Sequence, residues 1–160
     1  MRELIPVKKS DIDLCKEIYI KAFEITKETQ DECKFDKYMI PFINDYDKCA
    51  YLLGVDGKTV GFVSAYNPPN LLESPSLYID TIAVLPEYQN QGNGKAMLEM
   101  LIAMFPEDVF ISLQTQRSKH AYKMYIDSGF IDDPDMRVLC RSALITKLFE
   151  LRKKRYEEIY

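Results

Sequence analysis

Apolar and polar positions along the first half of the chain predict short strands and helices in mixed order. Residues 3–7 are typical of a strand, and the apolar positions between Leu14 and Phe23 recur at helical spacing. The apolar runs 49–55 and 59–66 are joined by Asp56-Gly57, a strong signal for a β-hairpin. A helical pattern over 35–46 contains Pro41, so we expect a broken or short helix there.

The most informative pattern lies in the second half of the chain. Residues 77–85 are apolar except for Asp80 and Thr81, which predicts a strand buried on both faces. Residues 96–105 are apolar except for Glu99 and contain good helix formers. Between them lies a loop with two glycines at the start of the helix, where unpaired N–H groups and the helix dipole favour an anion. The sequence therefore predicts a cradle for an anion such as a pyrophosphate.

The spacing of the two glycines distinguishes between the known phosphate loops. A Walker P-loop needs two glycines separated by four residues and followed by Lys-Ser or Lys-Thr. Here a single residue separates Gly92 from Gly94, and Ala96 follows Lys95, so a Walker P-loop is excluded. Met97 stands where a dinucleotide fingerprint needs its third glycine. The remaining pattern, Gln-x-x-Gly-x-Gly, resembles the acetyl-coenzyme A loop of the GNAT superfamily of N-acetyltransferases.

A second segment strengthens this resemblance. Ala121, Tyr125 and Gly129-Phe130 are similar to the second signature of the superfamily, with a short strand candidate at 108–113 in between. Ala121 and Tyr125 share one helix face, and Gly129 suits the position that ends the helix. The order of elements matches the superfamily across about half of the chain. The resemblance implies an α/β fold of the GNAT type, a central mixed sheet flanked by helices.

The resemblance also implies an activity, the transfer of an acetyl group from acetyl-coenzyme A to an amine by direct attack. Tyr125 corresponds to the tyrosine that protonates the departing thiolate and contacts the cofactor. Ser118 stands where many members carry an asparagine that touches the cofactor. The other implied cofactor-binding residues lie on the strand (Ile82, Ala83 and Val84) and in the loop (Gln89, Asn90, Gln91, Gly92, Asn93, Gly94 and Lys95).

The group that removes the proton from the amine is less well defined. Many members use a glutamate on the strand before the loop, and this strand carries Asp80. A carboxylate among apolar neighbours in a strand is expected to be buried, and a buried carboxylate is expected to have a specific role. Asp80 is therefore the candidate base, and Glu73 in the preceding loop is the second choice. A structural role for Asp80, or a chain of water molecules in place of a base, remains an alternative.

Composition and charge limit the other possibilities. The net charge of −4 gives no field that would attract nucleic acid or an anionic membrane. Four cysteines without a Cys-x-x-Cys pair and a single histidine make a metal site unexpected. The N-terminus lacks the apolar run of a signal peptide, and no stretch approaches the ~20 apolar residues of a membrane span. We expect a cytoplasmic protein without a metal.

At 160 residues the chain is expected to form one N-acetyltransferase domain. Within it, residues 1–76 would supply the first strands and helices and the acceptor side, and residues 77–130 the acetyl-coenzyme A core. Residues 142–160 predict an added amphipathic helix that packs on the domain or forms a homodimer contact. The acceptor is expected to be an amine of a small molecule or peptide. Alternatives are a protein or aminoacyl-tRNA acceptor, or a regulatory protein that binds acetyl-coenzyme A without catalysis.

Overall fold

The computed structural model describes residues 1–26, 34–68, 75–117 and 119–134. The chain divides into one compact unit, Met1–Phe130, and a second unit, Ile131–Tyr160. Three predictions lie outside the described residues: those for Glu73, for Ser118 and for the helix at 142–160.

Strands and helices follow the predicted order closely. The strands are β1 (Arg2–Pro6), β2 (Lys48–Val55), β3 (Lys58–Tyr66), β4 (Ser76–Val84) and β5 (Phe110–Leu113). The α-helices are α1 (Ile12–Ala22), α2 (Phe35–Asn44), α3 (Asn93–Ile102) and α4 (His120–Asp127), and two short 3₁₀ helices span Lys9–Asp11 and Pro86–Tyr88. In these ranges no helix is long and apolar enough to cross a membrane.

Among the described residues, five strands form one sheet in the order β1-β2-β3-β4-β5. Strands β1 to β4 pair with one another in antiparallel fashion, and β5 is parallel to β4. The predicted hairpin between β2 and β3 is confirmed, and Asp56 and Gly57 both adopt positive φ angles of 48° and 79°. The mixed α/β fold expected from the sequence is therefore confirmed.

Apolar side chains fill both faces of this sheet. On one face, α1 and α2 pack against Phe62 of β3 through residues such as Ile18 and Met39. On the other face, α3 packs Leu98 against β3 residues that include Val63. Since both faces of the central strands are covered, the apolar runs of the sequence are explained.

Helix α2 continues through Pro41 and is ten residues long, so the break is wrong and the alternative, a short helix, is confirmed. Proline removes one helical hydrogen bond, a cost that tertiary packing can exceed. Here Phe35, Met39 and Phe42 bury one side of the helix in the core, on both sides of the proline. Burial of this apolar face explains why the helix is not interrupted.

Strand β4 contains a bulge at Asp80, the candidate base. Ser64 pairs with Thr81, but the next residue, Ala65, pairs with Ile79, so Asp80 has no partner across the strand pair. The extra residue reverses the alternation of side chains along β4. Ile79 belongs to the cluster on the α3 face of the sheet, whereas Ala83 belongs to the cluster on the α1 and α2 face.

Candidate active site

The sheet opens between β4 and β5. The two strands pair from Ser76 and Phe110 to Ile79 and Leu113, where β5 ends, and β4 continues to Val84. The last part of β4 therefore has an edge that β5 does not cover. A cavity of about 770 Å³ lies against this part of β4 and is lined by residues from β4, the following loop and α4. We call it the large cavity.

The backbone of β4 presents alternate peptide groups to this edge. Gln89 donates a hydrogen bond from Nε2 to the carbonyl of Val84 at 2.8 Å, whereas the N–H of Leu85 donates to Val60 of β3 at 2.8 Å. Strand alternation places the peptide groups of Ile82 on the same side as those of Val84. Ile82 and Val84 line the large cavity, but Ala83 is buried in the α1 and α2 face of the core.

The glycine loop ends at the start of α3, as predicted. Gly92 precedes the helix with a φ of 76°, and its carbonyl accepts the first helical hydrogen bond, from Ala96, at 2.9 Å. The N–H groups of Asn93, Gly94 and Lys95 consequently have no acceptor within the helix. A Cβ atom on Gly92 would meet nothing within 4 Å, so open space lies beside this residue. The helix start thus presents amides and a partial positive charge to the large cavity.

Loop side chains divide into two groups. Gln89, Asn90 and Lys95 line the large cavity together with the two glycines. In contrast, Asn93 is buried and donates a hydrogen bond to the carbonyl of Tyr88 at 2.8 Å. Gln91 donates to the carbonyl of Glu87 at 2.8 Å. The side chains of Gln91 and Asn93 therefore hold the shape of the loop, while their neighbours face the cavity.

Arg2 of β1 supports the loop from the other side, which the sequence reasoning missed. Its guanidinium donates to Oδ1 of Asn93 at 2.8 Å and to the carbonyl of Gln91 at 2.9 Å. No sequence signal could have found these contacts, because Arg2 is 91 positions from Asn93 and belongs to no motif.

Lys95 has neighbours of its own. Its ammonium lies 3.6 Å from the Glu99 carboxylate, one helical turn on, and 3.5 Å from the carbonyl of Asp127. The side chain is 43% exposed, so this ion pair contributes little to stability. Lys95 therefore places a partly exposed positive charge at the wall of the large cavity.

Tyr125 lines the same cavity from α4. Its ring packs edge-on against Phe130 with the centroids 5.9 Å apart, and Gly129 ends the helix with a φ of 90°. Burial raises the pKa of Tyr125 above its ordinary value. The phenol consequently keeps its proton at neutral pH and remains a hydrogen-bond donor.

Asp80 is exposed, so the expectation that it is buried is wrong. The bulge lifts this residue out of the alternation that the apolar run of β4 predicted. Its carboxylate lines the large cavity and also a second cavity of about 380 Å³, which we call the small cavity. Asp80 thus lies where the two cavities meet.

Tyr38 of α2 holds this carboxylate, a role that sequence reasoning did not assign. Its hydroxyl donates to Oδ2 of Asp80 and lies 2.7 Å from the Ser64 hydroxyl and 2.9 Å from the Thr81 hydroxyl. Burial, and then the bond to Asp80, raise the pKa of Tyr38. Tyr38 therefore stays protonated and acts as a donor to Asp80. The helical pattern placed it on α2 but gave no reason to link it with β4.

A mixed sheet that opens between parallel strands, with a glycine loop and a helix start beside the opening, has the architecture of the GNAT acyltransferases. The sequence model of the Acetyltransferase (GNAT) family matches residues 13–130 of this chain. The chain belongs to this family, and the resemblance found in the sequence is confirmed.

Solved structures with this fold come from several kinds of acetyltransferase. An aminoglycoside acetyltransferase from an uncultured soil metagenomic sample, in complex with sisomicin, is 16% identical with a TM-score of 0.69, over 89% of this chain and 95% of that chain. A ribosomal-protein-alanine N-acetyltransferase from Brucella melitensis biovar Abortus 2308 is 18% identical with a TM-score of 0.64, over 88% and 100%. A possible acetyltransferase from Clostridium difficile 630 is 14% identical with a TM-score of 0.70, over 89% and 98%. No curated protein sequence matches this chain.

Metal ligation has no candidate within the described ranges, where no group of three His, Cys, Asp or Glu side chains is placed to hold an ion.

The contacts of Arg2 generate a first prediction. Arg2→Met should lower the free energy of unfolding by about 1–3 kcal/mol, because the buried amide oxygen of Asn93 loses its charged donor. Chemical denaturation would measure the change. Lys58→Met is the matched control, since Lys58 is an exposed cation outside both cavities. Equal stability of the two variants would show that Arg2 does not support the loop.

Proposed function

We propose that this protein is an N-acetyltransferase that transfers the acetyl group of acetyl-coenzyme A to a primary amine of a small molecule or peptide. The single observation that carries the proposal is the large cavity. It brings together the glycine loop, the uncovered edge of β4, Tyr125 and Asp80, residues that are far apart in sequence. Family membership supports acetyl-coenzyme A as the co-substrate.

The cofactor would lie along the large cavity. Its pyrophosphate would accept hydrogen bonds from the amides that begin α3, beside Gly92 and Gly94, where the helix dipole favours negative charge. Lys95 would add a screened positive charge. The pantetheine arm would pair with the outward peptide groups of Ile82 and the N–H of Val84, as an added strand pairs with a sheet edge, while the Val84 carbonyl stays bonded to Gln89.

The chemistry is a direct transfer. The amine nitrogen forms a bond to the thioester carbon, and a tetrahedral intermediate results. A backbone N–H of β4 would stabilise its oxyanion. The C–S bond then breaks, and the departing thiolate takes a proton from the phenol of Tyr125, which regains one from solvent. Burial raises the pKa of Tyr125, which reduces the driving force for proton transfer to a thiolate of pKa about 8.5, so the position of the phenol beside the departing sulfur matters as much as its acidity.

The amine must lose two protons in the course of the reaction. An alkylamine with a pKa of about 10.4 is charged at pH 7, and its neutralisation costs about 4.6 kcal/mol. Asp80 would accept each of the two protons in turn, directly or through one water molecule, and would pass each to solvent. Its exposure gives each proton a path to solvent, so a buried base is not needed.

A substitution in the loop tests cofactor binding. Gly92→Val should weaken acetyl-coenzyme A binding by at least tenfold in calorimetry, because the new side chain occupies the space beside the helix amides. Gly57→Val is a matched control: Gly57 also has a positive φ and open space, but it lies in the hairpin outside both cavities. Both variants carry similar backbone strain. Equal affinities in two folded variants would place the pyrophosphate elsewhere.

Removal of the Tyr125 hydroxyl tests whether this residue protonates the departing thiolate. Tyr125→Phe should keep cofactor binding and lower kcat by ~10²–10⁴, the range of general acid catalysis. Tyr51→Phe is the control, because burial raises the pKa of Tyr51 too, but this residue lies outside both cavities. The measurement is the rate at which the coenzyme A thiol is released, under conditions in which acetyl transfer limits the rate. An unchanged kcat would remove Tyr125 from the mechanism.

A pH profile tests the base. Asp80→Asn should lower kcat/KM at pH 7, and the rate should recover towards pH 10 as the free amine becomes abundant. Asp108→Asn, an exposed carboxylate outside the cavities, should keep the parent profile. If the Asp80→Asn profile keeps the shape of the parent profile, Asp80 is structural. Glu73 or a chain of water molecules would then be the remaining candidate for removing the proton from the amine.

A further inference from the structure

The small cavity has a chemical character that differs from that of the large one. It is lined by Tyr19 of α1, Phe35 and Tyr38 of α2, Asp80 and Thr81 of β4, and Lys34. Asp80 and Thr81 line both cavities, so the small cavity opens where an amine would approach the thioester. Its volume of about 380 Å³ is within the range of small-molecule sites.

Three aromatic rings form the wall of the small cavity. The ring centroids of Tyr19 and Phe35 are 5.5 Å apart, and those of Phe35 and Tyr38 are 5.8 Å apart. Phe35 is 3% exposed and packs edge-on against Phe62 of the core. The rings are therefore fixed by the packing of α1 and α2 on the sheet. Such a surface favours aromatic or aliphatic groups, and ring faces also attract an ammonium ion.

The orientation of the Asp80 carboxylate is fixed as well. A phenol has one proton, and Tyr38 donates it to Asp80. The Ser64 and Thr81 hydroxyls must consequently donate to the Tyr38 oxygen, which completes its hydrogen bonding. These two bonds polarise the phenol towards the carboxylate. One oxygen of Asp80 is thereby held, and the other is left for a ligand.

Charge restricts the ligand further. Asp80 is the one acid among the described residues that line the small cavity, and Lys34 is the one base. A ligand with a single ammonium group can pair with Asp80. Each further ammonium group would lose water without a second carboxylate partner among the described lining residues, which is unfavourable.

We propose that the acceptor is an amine with one ammonium group joined through a short chain to an aromatic or aliphatic group. Its ammonium pairs with Asp80, and its apolar part packs against Tyr19, Phe35 and Tyr38. This inference rests on the proposed acetyl transfer for its chemistry, but the binding site can be tested without turnover. The proposed acceptor, with its single ammonium group, differs from a polycationic acceptor such as an aminoglycoside.

An acceptor panel tests the proposal. 2-Phenylethylamine, hexylamine and spermidine would be compared by thiol release from acetyl-coenzyme A. We expect kcat/KM to be at least tenfold higher for the two monoamines than for spermidine. In parallel, calorimetry would measure the binding of 2-phenylethylamine to the protein saturated with coenzyme A, so that binding is known even where turnover is absent.

Two variants connect the preference to the small cavity. Tyr19→Leu removes one ring face and should weaken 2-phenylethylamine binding by about 2- to 10-fold, the range of a contact between two aromatic rings. It should lower kcat/KM for spermidine less than it lowers kcat/KM for 2-phenylethylamine, whereas a general loss of structure would lower the two values by the same factor. Tyr46→Leu, at a fully exposed tyrosine outside the cavities, should change neither. Tyr38→Phe keeps the ring and should lower kcat/KM for every amine, because Asp80 loses its donor.

Each result has a distinct meaning. Faster turnover of spermidine, or 2-phenylethylamine binding that Tyr19→Leu does not weaken, would overturn the acceptor class and leave acetyl transfer intact. Binding that depends on Tyr19 without thiol release from any amine would support the site and contradict the proposed activity. If the monoamines are neither bound nor acetylated, the proposed acceptor class is wrong.

Discussion

The separation of β4 from β5 is the constraint on which the site depends. Parallel pairing ends at Ile79 and Leu113, and the register of β4 against β3 shifts at the next residue, Asp80. A single extra residue therefore turns one carboxylate out of a buried strand and separates two cavities that share it. Without this bulge, an aspartate in the middle of an apolar strand would have to be desolvated, at a cost of several kcal/mol.

The proposed anion cradle depends on hydrogen bonds that hold the glycine loop in place. In the proposed site the anion is bound by backbone amides, so the loop must be held in place by groups that do not enter the cavity. Arg2, Gln91 and Asn93 do this from the protein side, and Gln89 fixes the loop to the end of β4. The cradle is therefore built by β1 and β4 together, although its motif is confined to the loop.

Local signals in the sequence predicted most of the fold and the location of the loop. The hairpin at Asp56-Gly57 and the strand, loop and helix around Gly92 depend on neighbouring residues, and both are confirmed. The exposure of Asp80 and the contacts of Tyr38 and Arg2 were not predicted, because each depends on a register or on a partner far along the chain. The continuous helix through Pro41 belongs to the same group, since core packing outweighs a local penalty there.

The position of Asp80 couples acceptor choice to catalysis in the proposed reaction. The same carboxylate would pair with the ammonium group in the small cavity and accept its proton beside the thioester. Tyr125 lies on the wall of the large cavity alone and would serve the thiolate. A change at Asp80 or Tyr38 should therefore alter both amine binding and the pH profile. A change at Tyr125 should alter the rate without altering which amine is bound, because the two proton transfers use residues with separate surroundings.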